Sequence, residues 1–164
     1  MGKNTAISRS KEGLECHHIH EYTAINLSNP EFARHYPFAY QKADRLVYCN
    51  YLEHLLLHIK IAEENEKDNR ESIEKKGIGG AVEFIVRSLN DFYSNRVYEA
   101  EHLNAASRVV SPDYEAYMLY LRYLWNLIKS SPIYSAMYTK QALIMGFDGR
   151  VNTQVLNDLN KTES

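Results

Sequence analysis

The sequence predicts an α+β protein, predominantly helical: a two-stranded hairpin and one helix at the N-terminal end, packed on a C-terminal bundle of four or five helices. Three observations carry that expectation. Two short segments, Leu14 to Ile19 and Arg45 to Cys49, have the β-branched and aromatic character of strands. A capped amphipathic helix follows the second segment at once. After the "KKGIGG" turn, apolar residues recur at helical spacing to the end of the chain.

Taken in order, residues 1–13 read as a flexible arm with scattered positive charge. The first strand leads into "NLSNPEFARHYPFAYQKAD", a long, aromatic, proline-bearing segment expected as an ordered irregular loop. Asn50 has the chemistry of an N-cap, and Glu53 three residues later completes a capping box. The helix they open keeps Tyr51, Leu55 and Ile59 on one stripe, with Leu52 and Leu56 beside it. The acidic stretch from Glu63 to Glu74 is expected as a solvated helix end. "KKGIGG" then divides the chain into a unit at 14–78 and a helical lobe at 79–164. Helices are expected in "AVEFIVRSLNDFY", "NRVYEAEHLNAA", "DYEAYMLYLRYLWNLIKSS", "IYSAMYTKQALIM" and "NTQVLNDLN", the long third one opened by Ser111-Pro112.

Composition narrows the function. With 45% hydrophobic and 24% charged residues the chain can build a packed core. A net charge of -2 argues against gripping nucleic acid by charge alone, so such a role needs a local patch or a metal. Cys16 and Cys49 are the only cysteines and form no CxxC pair, which fits a reducing compartment. The opening "MGKNTAISRSKEG" lacks an apolar signal-peptide core, and no apolar run reaches membrane-spanning length. A cytoplasmic protein is expected, with no membrane partner.

The histidines are the strongest signal. Six of the seven lie between His17 and His58. His54 and His58 stand one helical turn apart, so both imidazoles leave the same face and can meet one ion. The first strand offers His17 and His18, which point to opposite faces. One can ligate while the other stands free beside the metal. Three neutral imidazoles favour zinc, nickel, cobalt or manganese over magnesium, which prefers oxygen. A free histidine suits proton abstraction from water at neutral pH.

"ECHHIHEY" followed by "DRLVYCNYLEHLLLH" resembles the HNH endonuclease family, the ββα-metal finger nucleases, over roughly residues 14 to 62. The resemblance implies an N-terminal ββα-metal finger and metal-dependent hydrolysis of phosphodiester bonds, with DNA the first substrate class. It also implies His17, His54 and His58 as ligands of one divalent metal and His18 as the general base. The position of the family's central asparagine holds Arg45 here, preceded by Asp44; the long loop is the place for substrate contacts or a replacement brace. The alternative is a non-catalytic module that binds nucleic acid or protein and uses the finger as a structural zinc site.

Arg34, Lys42 and Arg45 are the candidates for holding a substrate phosphate. His20 is read as a solvated side chain or an alternate ligand, and His35 and His102 as ordinary polar residues. Cys16 and Cys49 are expected to pack as small apolar groups near the site. Tyr114, Tyr117, Tyr120 and Tyr123 are assigned to the core and rim of the long helix rather than to base stacking. The helical lobe is also the place for a homodimer contact or a protein partner.

Overall fold

The hairpin is short because its partner strand is short. In a computed structural model describing residues 9–68, 76–94 and 96–161, β1 (Glu15–His18) pairs antiparallel with β2 (Leu46–Cys49). The register sets His17 opposite Val47 and His18 opposite Leu46. Before Leu46 the chain is a 3₁₀ turn, Ala43–Arg45, so Ile19 has no strand to pair with. The expected strand therefore stops at His18 and coils into a 3₁₀ turn, Ile19–Tyr22, and Arg45 belongs to a turn rather than to β2.

The connecting loop is ordered. Asn29 caps a single helical turn, α1 (Pro30–Ala33), by accepting from the Glu31 amide at 2.9 Å. A further 3₁₀ turn spans Phe38–Gln41. Helix α2 (Tyr51–Asp68) begins as its sequence requires. Asn50 Oδ1 accepts from the amides of Leu52 and Glu53 at 2.9 Å each, and the Asn50 amide donates to Glu53 Oε2 at 2.8 Å. Both halves of the capping box are made.

Tyr51, Leu52, Leu55, Ile59 and Ala62 of α2 are buried in one core with the helices beyond the glycine turn. Val82, Ile85, Leu89 and Phe92 point into that core, as their spacing predicts, but the first turns are wound as a π-helix (Gly80–Ile85) before α3 (Val86–Phe92). The "NRVYEAEHLNAA" helix is shifted: α4 runs Glu101–Val110. Asn104 accepts from the Tyr98 amide at 3.0 Å and donates to its carbonyl at 2.8 Å, which holds that segment extended. Residue 95 lies outside the described residues.

After a 3₁₀ turn at Ser111–Asp113, α5 (Tyr114–Ser130) forms the central helix, with Tyr117, Met118, Leu121, Leu124 and Ile128 buried. Trp125 packs partly buried against the same core. Tyr117 is fully enclosed, whereas Tyr123 is exposed and donates to Glu63 at 2.7 Å. The expected helix over "IYSAMYTKQALIM" is broken. It forms α6 (Pro132–Met137) and a 3₁₀ turn (Lys140–Leu143), with Tyr138 extended between them so that its hydroxyl reaches Glu83 at 2.7 Å. Asn152 caps the last helix, α7 (Thr153–Asn160).

Buried Asn90 ties these parts together. Its side chain donates to the carbonyls of Leu143 and Met145 and accepts from Tyr117, while Asn152 donates to its carbonyl. At the other end, residues 9–13 form a turn: the Leu14 amide donates to the Arg9 carbonyl, and Gly13, at φ +70°, lies flat against the backbone of Ala105. A side chain there would collide, and the conformation favours glycine. Residues 1–8, and residues 69–75 of the expected acidic helix end, lie outside the described residues. Among the described residues no helix is long and apolar enough to cross a membrane.

Candidate metal centre

Strand alternation sends His17 and His18 to opposite sides of β1, and both sides are covered. His17 faces α2, its ring centroid 5.2 Å from those of His54 and His58 in edge-to-face contacts. His54 and His58, one turn apart, stand 4.8 Å from each other. His18 faces the loop instead, where its Nε2 lies 3.1 Å from Gln41 Oε1.

The 3₁₀ turn adds a fourth group, because it folds the chain back at once and returns Glu21 beneath the histidines. Glu21 Oε2 is 3.2 Å from His58 Nε2 and 3.6 Å from His17 Nδ1, and Oε1 is 3.5 Å from His18 Nδ1. Candidate ligand atoms of His17, Glu21, His54 and His58 all lie within 4.8 Å of one another, and the set could hold a metal ion. Four ligands about 2.1 Å from a tetrahedral centre are roughly 3.4 Å apart, so the widest pair would have to close by up to about 1.4 Å.

The donor chemistry fits such an ion. His58 Nδ1 donates to the Gly77 carbonyl at 3.1 Å, which turns Nε2 toward a Glu21 carboxylate oxygen 3.2 Å away. A ring nitrogen and a carboxylate oxygen that close need a proton or a cation between them. His17 Nδ1 and His54 Nδ1 are buried with no hydrogen-bond partner. Burial pushes the His17 pKa down to about 4, against the pull of Glu21 and with the help of His58 and His18. Burial, then His58 and His17, push that of His54 down to about 3. Burial works to raise the Glu21 carboxyl, but hydrogen bonding and charge from His58, followed by His17 and His18, hold it below its usual value. At neutral pH His17 and His54 are thus neutral imidazoles beside an ionised Glu21 carboxylate, protonation states that a metal requires.

The glycine turn completes the back of the site. Gly77, at φ +73°, aims its carbonyl at His58, and Gly80 lies flat against the His58 ring. A cleft of about 990 Å³ opens in front of it. His18, Glu21, His54 and His58 line one side, and Glu83 and Phe84 of the π-helix belong to the same lining.

No family model, curated protein or solved structure matches this chain. The chemistry of the cluster is therefore the basis for a functional reading.

Among the residues singled out in the sequence, His17, His54 and His58 come together, and His18 stands beside them. Arg34, Lys42 and Arg45 do not join them. All three are exposed on the loop and none lines the cleft; Arg45 sits 3.7 Å from its neighbour Asp44. The cationic side chains in the lining are Arg9 and Lys76. His20 stacks on Tyr40 at 3.9 Å and stays out of the cluster, and His35 and His102 are exposed. Cys16 and Cys49 are free thiols. Burial, with Glu53 next, pushes the Cys49 pKa up to about 12, and burial also raises Cys16, so neither offers a thiolate at neutral pH.

Sequence reasoning missed Glu21, Gln41 and Gly80. Glu21 had a usable signal, since it follows His17 by four residues and would share its side in any turn of helix. Gln41 and Gly80 had none, for their roles depend on what the loop and the glycine turn fold against.

Proposed function

We propose that this chain is a metal-dependent phosphodiesterase, an endonuclease with DNA as its first substrate class, built on a ββα-metal finger. His17, Glu21, His54 and His58 would hold one divalent ion, with zinc, nickel, cobalt or manganese favoured by the imidazole-rich set. The observation that carries the reading is His18. Its Nδ1 is buried and without a hydrogen-bond partner, 3.5 Å from Glu21, in a residue that lines the cleft. A structural site has no use for such a nitrogen. A hydrolase needs one to take a proton from water.

When bound, the ion supplies Lewis-acid polarisation of the phosphoryl group and stabilises the departing 3′ oxygen. His18 accepts the proton of the attacking water at Nδ1. Arg9 and Lys76 bring positive charge to the cleft, where Glu15, Glu21 and Glu83 bring negative charge. Two cations against three carboxylates repel a polyanion, and a divalent ion reverses that balance. Substrate binding, as well as cleavage, should therefore depend on metal.

The test is plasmid nicking by the full chain with magnesium, manganese, nickel or zinc, beside a chelated control. The expected result is cleavage with at least one of the imidazole-binding metals and none under chelation. Cleavage that survives chelation, or no cleavage with any metal by protein shown to be metal-loaded, overturns the reading. One observation favours a rival, a structural zinc site in a binding module: four protein ligands are what closed structural sites use, whereas catalytic zinc sites keep a position open. In that case zinc raises the melting temperature, but His18→Ala changes nothing.

A further inference from the structure

We propose that Gln41 is a positioning residue that locks His18 in its Nε2–H tautomer and so leaves the Nδ1 lone pair on the side of Glu21. The inference rests on the reading of His18 as the base, but its core is a statement about hydrogen bonding that stands or falls by itself.

The orientation of the Gln41 amide is decided at its far end. Its Nε2 donates to the Leu27 carbonyl at 2.9 Å, so Oε1 is the atom that faces His18 Nε2 at 3.1 Å. Turning the amide over would set two oxygens against each other at Leu27, so the Leu27 carbonyl alone fixes which end of the amide faces His18. An amide oxygen only accepts, so the histidine nitrogen opposite must carry the hydrogen. A neutral imidazole has one N–H, and with it on Nε2 the lone pair is on Nδ1. That is the nitrogen found buried and unpartnered, 3.5 Å from Glu21 Oε1.

The anchor is firm. Leu27 is almost wholly buried, at 1% exposure, and Gln41 closes a 3₁₀ turn of the inter-strand loop. In the proton-transfer step a water O–H bond breaks and the proton goes to Nδ1. The hydroxide oxygen bonds phosphorus, and the 3′ oxygen leaves with its electron pair. The imidazolium so formed keeps its Nε2–H on Gln41 Oε1, whose partial negative charge favours the positive ring.

The test reads the tautomer directly, from long-range ¹H–¹⁵N spectra of the histidine rings in the full chain, metal-free and zinc-loaded. Wild-type His18 should show a protonated Nε2 and a bare Nδ1. Gln41→Leu should give a mixture of tautomers with zinc affinity unchanged, a loss of roughly ten- to a hundredfold in kcat and little change in KM. Gln41→Glu, which keeps an acceptor opposite Nε2 but sets a second oxygen against the Leu27 carbonyl, should retain the Nε2–H form at a cost in thermal stability. A wild-type His18 in the Nδ1–H form overturns the proposal, even where no variant folds, and so does a Gln41→Leu protein with unchanged tautomer and kcat. A locked Nε2–H tautomer in a metal-loaded protein that cleaves nothing supports the lock and removes the hydrolase reading alone.

Discussion

Gly80 backs directly onto the imidazole of His58: a Cβ at residue 80 would lie inside the van der Waals envelope of Cε1 and Nδ1. Together with the bond from His58 to the Gly77 carbonyl, this makes the glycine turn the rear wall of the site. Gly80→Ala should push the ring out of place and cost about 1–3 kcal/mol in stability, as overpacking does. It should also weaken zinc binding. Thermal melts with and without zinc check both, and a variant with wild-type zinc affinity would show that the ring has room to retreat.

The four-ligand set makes a separate claim about Glu21. Zinc at a hundred times its dissociation constant should stabilise the protein by about 2.7 kcal/mol, since it binds only the folded chain. His54→Ala should abolish most of that gain. Glu21→Gln, nearly the same shape but uncharged, should lower affinity by roughly ten- to a hundredfold, taking the scale of supporting partners as a lower bound. Calorimetric titration measures it, and equal affinity for the Gln variant would remove Glu21 from the shell.

Acid should destabilise the metal-free protein. In the unfolded chain a histidine titrates near 6.5, while in the fold His17 and His54 are held down to about 4 and about 3. Between those values the unfolded state binds more protons, so stability rises with pH and falls as pH drops from about 6.5 toward 4. Each of the two imidazoles contributes up to about 1.4 kcal/mol per pH unit inside its window. Urea midpoints at pH 7.5, 5.5 and 4.5 should decline in that order. A flat profile would mean that the rings are more open to water than their burial indicates.

Base and ligand substitutions should fail differently. His18→Ala should retain zinc and lose cleavage by roughly 10²–10⁴-fold. His54→Ala should lose metal and activity together. A His18→Ala protein that cleaves at the wild-type rate would leave His18 without a catalytic role. One that loses its metal as completely as His54→Ala would make His18 a ligand.

The local rules were legible in the chain. Asn50 and Glu53 close the capping box they spell, and Asn152 caps its helix. Val82, Ile85, Leu89 and Phe92 go inward as their spacing requires, and His54 and His58 leave one face because a helix turn brings residues four apart together. Caps and periodicity act over a few residues, so a few residues suffice to read them. The decisions that needed the whole fold concern groups far apart in sequence or bonds that compete with a local preference. Asn104 takes hold of Tyr98 and cuts a helix short; Tyr138 leaves a helical segment to reach Glu83. The 3₁₀ turn after His18 exists because β2 has no residue left to pair with Ile19, and that turn is what brings Glu21 under His17 and His58. Gln41 reaches His18 across the loop, and Gly80 meets His58 across the core. The sequence alone determined how the capped helix of the site begins, which stripes face inward and that imidazoles gather at one end. Tertiary packing decided which carboxylate, which amide and which glycine complete the site, because those contacts gain their energy only once distant segments are buried against each other.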